Sequence, residues 1–293
     1  MNSPDRTAGG VALAFLAAAI SGLAVFVNGY GVRAVKDATV YTTAKNLVAA
    51  AVLVGVALAV RSARPRAVPR GKRLALLGVV ALVGGSVPFV LFFEGLARAS
   101  TTHAAFIHKT LFLWVAVLAV PLLGERLRAA HLLAAGLLVG GLLVLENGLA
   151  GFSLSGGELL ILAATLLWAA ETVVVKRLLS DVAPMTVALA RMGVGSAALL
   201  TWVAISGRWD ALASLGTEGW LWAATTGAIL GCYVLTWFTA LARAQAVDVT
   251  AILVAGAVIT ALLKGTPGIG LILIAAGALV VAVSAGRRRL EFG

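Results

Sequence analysis

Polar residues in this chain fall in short clusters, and between the clusters run apolar stretches of about 17–24 residues. At 1.5 Å of rise per residue, a helix of that length crosses a hydrocarbon core about 30 Å thick. The alternation expected of a membrane β-barrel strand is absent. The breaks, marked by charges or by Gly and Pro, predict ten spans: 10–30, 38–60, 74–97, 100–122, 128–146, 156–178, 184–206, 217–240, 246–263 and 267–285. The expected fold is therefore an all-α integral membrane protein, with the lipid bilayer as its solvent.

Composition agrees. Of 293 residues, 61% are hydrophobic and 12% charged, against about 25% charged in soluble domains. A net charge of +11 could suit an anionic partner, but basic residues in such proteins set topology. Nucleic acid is not expected as a partner. With the N-terminus cytoplasmic, 15 Lys/Arg lie inside (Arg6, the 61–73 loop, 126–128, Lys176, Arg177, Arg243 and Arg287–Arg289). Five lie outside (Arg33, Lys36, Arg98, Arg208 and Lys264) and three lie within spans. The positive-inside rule then places both termini in the cytoplasm. Arg6 and the run after it have the outline of a signal peptide, but the length of the run and its place in the repeat below argue for a retained span. The closing "LEFG" reads as a cloning remnant. The lone Cys232 permits no internal disulfide.

The two halves, 1–150 and 151–293, resemble each other. "EGLARASTTHAAFI" (94–107) aligns with "TALARAQAVDVTAI" (239–252) at an offset of 145, and "ATVYTTAKNLV" (38–48) with "PMTVALARMGV" (184–194) at 146. Each half holds five spans, an odd number, so the second half inserts upside down relative to the first. Inverted repeats of this kind characterise secondary transporters. The halves differ after span 4. "LLGERLRAAHLL" in the first half corresponds to "ALLKGTPGIGLIL" in the second, which is about nine residues shorter there.

Three stretches carry a family resemblance: "PLLGERLRAAHLLAAGLLVGGLLVL" (121–145), "GELLILAATLLWAAETVVVKRL" (157–178) and "GAILGCYVLTWFTALARAQAVDVTAIL" (227–253). The chain resembles the drug/metabolite transporter superfamily in its ten-helix EamA-type branch. The resemblance implies two inverted five-helix repeats around a central cavity, with the fifth and tenth helices peripheral and alternating access without ATP. It implies export of a small-molecule substrate across a bacterial-type inner membrane. Amino acids are the first substrate class expected, after the bacterial aromatic amino-acid exporters of the YddG type. Drugs, sugars and nucleobases are the alternatives. The sequence carries no phosphate-binding loop of the G-x-x-x-x-G-K-[ST] form. Neither cofactor nor metal is expected, and a monomer or homodimer is. A non-transporting membrane partner and an intramembrane enzyme are less favoured. An enzyme would need a convergent catalytic set, and His103 and His108 are not spaced as an i, i+4 metal pair.

Candidate chemistry lies where ionisable residues enter the spans, since their burial in a bilayer is costly. In "THAAFIHKTLFLW" (102–114) Lys109 falls about 13 Å below the start of span 4, near the midplane where transporters bind substrate. Lys109 offers charge to a substrate, and His103 and His108 offer hydrogen bonds or a proton. The structural alternative is a polar network. Glu94 is expected to contact His103 or to act at an outer gate. Glu171 and Arg191, at equal distances from the 179–183 turn, are expected to pair as a switch or register element. Lys45 is the repeat mate of Arg191, but Val25 stands where Glu171 would. Lys45 therefore pairs with Glu94, attracts an anionic group or snorkels outward. Asn46 and Tyr41 lie beside it. Trp168 and Tyr233 are deep enough to line a cavity. Asp248 is expected at the interface. The Gly136/Gly140 and Gly227/Gly231 spacings fit close helix contacts, and Gly84–Gly85–Ser86 with Pro88 allows span 3 to bend.

Overall fold

A computed structural model of the protein describes residues 4–60, 69–96, 98–99, 101–145, 155–266 and 268–291. The 61–68 loop, the 150/151 boundary, the "LEFG" side chains and those of Arg287–Arg289 lie outside what is described. Every regular element among the described residues is helical.

The ten spans are present. Nine of them are long enough to cross a membrane: Arg6–Ala34, Ala38–Ala59, Lys72–Leu96, His103–Leu123, Gly156–Leu178, Pro184–Ile205, Thr217–Arg243, Ala246–Leu263 and Ile269–Gly286. The remaining one, span 5, is the shorter apolar helix Ala129–Leu145. Numbered 1–10 in chain order, they place both termini on one face of the bundle, called here the termini face; the other is the far face. Local chemistry sets several ends. The Asp37 carboxylate caps span 2 by accepting from the amides of Thr39 and Val40 at 2.9 and 3.0 Å. Pro184 opens span 7, where its missing N–H costs nothing. Gly124, at φ 67°, closes span 4 in the left-handed conformation that favours glycine.

Three spans are interrupted. Span 3 runs as a helix over Lys72–Val79, widens into a π-turn over Val80–Gly84 and resumes at Val87–Leu96. The bend thus begins on the N-terminal side of the glycines and of Pro88. Span 4 breaks at Thr110, between Thr101–Lys109 and Leu111–Leu123. Span 9 breaks at Val254–Ala255, between Ala246–Leu253 and Gly256–Leu263. At the repeat offset of 145, Lys109 and Thr110 correspond to Val254 and Ala255, so both fourth helices are broken at equivalent places.

The packing follows the repeat. Span 1 lies on span 8, and its mate span 6 lies on span 3. Span 1 also packs on span 9, as span 6 does on span 4, while spans 2 and 7 and spans 5 and 10 pack on each other. Each half therefore buries its helices mainly against the other. Spans 5 and 10 meet through Gly141 and Gly270. A Cβ added at either would sit 2.6–2.7 Å from the other's carbonyl oxygen. The expected Gly227 contact is present, 2.6 Å from the Lys45 carbonyl by the same measure. Gly136 and Gly140 are different: nothing lies within 4 Å of a Cβ at either. They sit off the contact face of span 5, about 100° (Gly140) and about 140° (Gly136) around the helix from Gly141.

At the π-turn, a Cβ on Gly84 would overlap the Glu171 carboxylate, and one on Gly85 would overlap the Arg191 carbonyl of span 7. Gly85→Ala must push two backbones apart, so we expect a loss of about 1–3 kcal/mol and a lower melting temperature in detergent. Gly78→Ala, with open space around it, should leave the melting temperature unchanged or raise it.

Candidate functional site

Glu171 and Arg191 meet in the interior. Arg191 Nε donates to Glu171 Oε1 at 2.6 Å and Nη2 to Oε2 at 3.4 Å, and both side chains are almost fully buried. The fork geometry suits a guanidinium facing a carboxylate. The bare backbone at Gly84 and Gly85 makes room for the pair. Trp168 of span 6 donates its indole N–H to the Gly84 carbonyl at 3.2 Å, a group left open because Pro88, four residues on, has no N–H to offer it. The Trp168 ring lies edge-on to Phe89 at 5.3 Å and to His108 at 5.0 Å, and Phe92 closes the cluster on His108 at 5.3 Å. His108 Nδ1 is enclosed without a hydrogen-bond partner among the described residues. Tyr233 stacks on Trp237 at 6.1 Å, within the field of the Glu171–Arg191 pair.

Lys109 ends the first segment of span 4, directly at the break. The Thr110 hydroxyl folds back to the Ile107 carbonyl at 2.6 Å and accepts from Trp114 Nε1 at 3.1 Å.

Three expectations are corrected. His103 contacts Glu158 of span 6, with Nδ1 and Oε1 3.2 Å apart; Glu94 makes other contacts. The tight 3–4 turn does set the depth of His103, but span 4 begins against span 6 and so turns His103 away from Glu94. Asp248 is fully buried, with its Oδ1 2.9 Å from His131 Nε2. Lys45 neither snorkels nor reaches Glu94. It is buried, and its Nζ donates to Asn28 Oδ1 at 3.3 Å. Asn46 is wholly buried, and neither end of its amide has a partner among the described residues.

On the far face, Glu94 accepts from Arg98 at 3.0 Å and from Arg208 at 3.3 Å. Arg208, from the link between spans 7 and 8, also reaches Asp37 at 3.5 Å. One second-half cation therefore bridges the start of span 2 and the end of span 3.

The termini face carries a second clamp, built on the turn between spans 8 and 9. Lys176 Nζ donates to the carbonyls of Leu241 and Ala244, each at 2.6 Å, at the end of span 8. Glu125 accepts from the amides of Ala246 and Val247 at 2.7 and 2.9 Å, at the start of span 9. A cation thus meets the negative end of one helix dipole and an anion the positive end of the next. Burial pushes the Glu125 carboxyl above its ordinary range, opposed by these amide bonds and by Lys176. His131 accepts from the Arg128 amide at Nδ1, 2.9 Å away. Its Nε2 must then carry the proton, and it donates to Asp248. Sequence reasoning had "LLGERLRAAHLL" as a family-like stretch without seeing that Glu125 and His131 reach across to span 9. Their absence from the shorter second-half counterpart was the available signal.

A groove of ≈ 390 Å³ lies elsewhere, among spans 4, 5, 9 and 10, lined by Phe112, Ala116, Leu132, Ala135, Val247 and other mostly apolar residues. Val117 and Leu132 on its rim are 63% and 67% exposed, so it opens toward lipid.

Two halves of five spans, interlocked and with their fourth helices broken near the centre, define a membrane-transporter architecture. The chain belongs to the EamA-like transporter family, whose profile matches residues 8–146 and again 155–283. It is thus a multi-pass membrane transporter of small molecules. No curated protein sequence matches it. A crystal structure of another protein is similar, with a TM-score of 0.74 and 24% identity over 95% of this chain and 98% of that one; at that identity the likeness carries the fold alone.

Two outcomes follow for stability. Glu171→Ala strands a buried guanidinium and should cost about 3–5 kcal/mol, whereas Glu171→Leu with Arg191→Leu should recover most of it, read as melting temperature and monodisperse yield. Glu125→Ala leaves two helix-start amides unpaired, which should cost about 2 kcal/mol or more and speed amide exchange at Ala246 and Val247.

Proposed function

We propose that the protein is a secondary transporter that exports amino acids, neutral or aromatic, by alternating access. Its termini face is the cytoplasmic face of a bacterial inner membrane, on the strength of the 15-to-5 distribution of Lys/Arg. The observation that carries the reading is the interior cluster of Glu171–Arg191, Trp168 and His108 at the interruptions of spans 3 and 4, with Lys109 next to His108 at the break of span 4. A scaffold alone does not call for these groups. In the second half the counterparts of His108 and Lys109 are Leu253 and Val254, and span 9 breaks at the same place without them. The cluster combines an ion pair, a ring nitrogen without a partner among the described residues and aromatic edges, with Lys109 adjoining it in the chain. A zwitterion with an apolar side chain complements that set.

The two polar clamps support alternating access. The far-face bridge through Arg208 and the termini-face contacts of Glu125 with the start of span 9 each tie the two halves together at one mouth. Releasing one while keeping the other opens one side only, as an exporter requires.

The test is counterflow in liposomes against a panel of labelled amino acids, sugars, nucleobases and cationic drugs. Flux of neutral or aromatic amino acids is expected, and flux of another class alone would replace the substrate reading. Lys109→Ala should lower amino-acid flux by about tenfold or more, a loss of roughly 1.4 kcal/mol, with an unchanged melting profile. Unchanged flux would remove Lys109 from the site.

A further inference from the structure

The repeat contains an internal comparison that points to a second recognition element. Lys45 and Arg191 occupy equivalent places in spans 2 and 7. Arg191 is neutralised by Glu171. At the place equivalent to Glu171 the first half has Val25, which is 53% exposed and faces away from the bundle. No carboxylate of the described residues forms an ion pair with Lys45, although Glu94 and Asp37 both lie toward the same face. Each of those carboxylates is held by Arg208 instead.

What surrounds Lys45 is polar, neutral and oriented. Asn28 of span 1 donates its Nδ2 to the Ala24 carbonyl at 2.7 Å, which fixes the amide and turns Oδ1 toward Lys45. The Tyr41 hydroxyl lies 3.0 Å from the same Oδ1 and 2.9 Å from Thr226 Oγ1 of span 8. Thr226 donates its own proton to the Trp222 carbonyl at 2.7 Å, so its oxygen is left to accept. The Lys45 ammonium also sits 5.5 Å from the Tyr41 ring centre and 5.6 Å from that of Phe93, within cation–π range. An ammonium has three protons to donate. Here one goes to a 3.3 Å contact and the rest face aromatic rings, an incomplete shell for a buried cation.

The location suits a ligand. Spans 1, 2 and 3 pack extensively on second-half helices and only sparsely on one another. Lys45 lies at the seam where these three spans meet, its Nζ beside Asn28 of span 1 and Phe93 of span 3, roughly 10 Å below the far-face end of span 2. Above it, Arg208 bridges Asp37 and Glu94 across the seam.

We propose that Lys45 is the anion-recognition residue of the transport site and holds the carboxylate of the substrate, with Phe93 as a flanking wall. The proposal rests on the transporter reading above and adds the charged group that the substrate must carry. The substrate supplies in the first half the carboxylate that Glu171 supplies in the second. One ammonium matches a singly charged carboxylate; a phosphate dianion would leave charge unmatched. Substrate held there lies beneath the Arg208 bridge, so the bridge must part before release.

The test uses the full chain in detergent and in liposomes. Benzoate serves as a bare carboxylate probe, with chloride at equal ionic strength as the reference. L-phenylalanine and L-phenylalaninamide serve as a transported pair differing in the carboxylate. Lys45→Met should fold and melt at or above the wild type, because it removes a buried cation that has no counter-ion. It should also abolish thermal stabilisation by benzoate and lower phenylalanine transport by about tenfold or more, with the amide analogue affected about threefold or less. Lys45→Arg should keep benzoate stabilisation. Benzoate stabilisation that persists in Lys45→Met, or is matched by chloride in the wild type, would overturn the proposal. So would equal losses for phenylalanine and its amide. If wild-type vesicles carry no amino acid while benzoate still stabilises in a Lys45-dependent way, the amino-acid reading falls and the carboxylate site stands.

Discussion

A bilayer offers no water to a polar side chain, so each one inside the spans must find its partner in protein. Hydroxyls mostly turn back on their own helix, but many of the long-range partners belong to the other half. Tyr41 meets Thr226, His131 meets Asp248, His103 meets Glu158 and Trp168 meets the Gly84 carbonyl. Thr260 of span 9 reaches the Gly22 carbonyl of span 1 at 2.9 Å. Neither half could satisfy these groups alone. The interlocking of the repeats is therefore a condition for burying polar residues at all, and the polar residues in turn hold the halves in register.

The same constraint explains the interruptions. Pro88 has no N–H to offer the Gly84 carbonyl of span 3, and backbone freed in this way is tolerated only where protein answers it. Trp168 answers it, and the bare glycines admit the Glu171–Arg191 fork. The two fourth helices break at equivalent positions, yet only the first break carries Lys109 and His108. Near-symmetric backbone and asymmetric side chains divide the labour. The scaffold supplies two matched elbows, and the first half supplies the ionisable chemistry around one of them. The clamps are asymmetric too. The far face is tied by partly exposed ion pairs through Arg208, and the termini face by buried contacts to helix ends. Screening weakens the first kind far more than the second.

Much of this was legible in the chain. Run length and break chemistry gave the spans, and the alignment of "GLARAS" with "ALARAQ" gave the repeat. Glu171 and Arg191 could be paired because they flank one short turn, where helix rise alone sets relative depth. Asp248, His103 and Lys45 could not be placed in that way. Their partners lie on other helices, and the direction each side chain takes depends on which helix packs beside it. Glu94 illustrates the limit: a tight turn brought it level with His103, while the packing of span 4 on span 6 took His103 to Glu158 and left Glu94 to Arg208.

Sequence alone determined that this is a ten-span membrane protein of two inverted halves, because hydrophobic length and the parity of spans are local, additive properties of the chain. Only the tertiary structure decided which buried charges are neutralised and which is left with neutral company. That outcome depends on interhelical azimuth and on close approach at a few glycines, which no stretch of sequence carries by itself. Arg191 and Lys45 are repeat mates, and the difference between an ion pair at one and an amide with two aromatic rings at the other was settled by the helices folded around them.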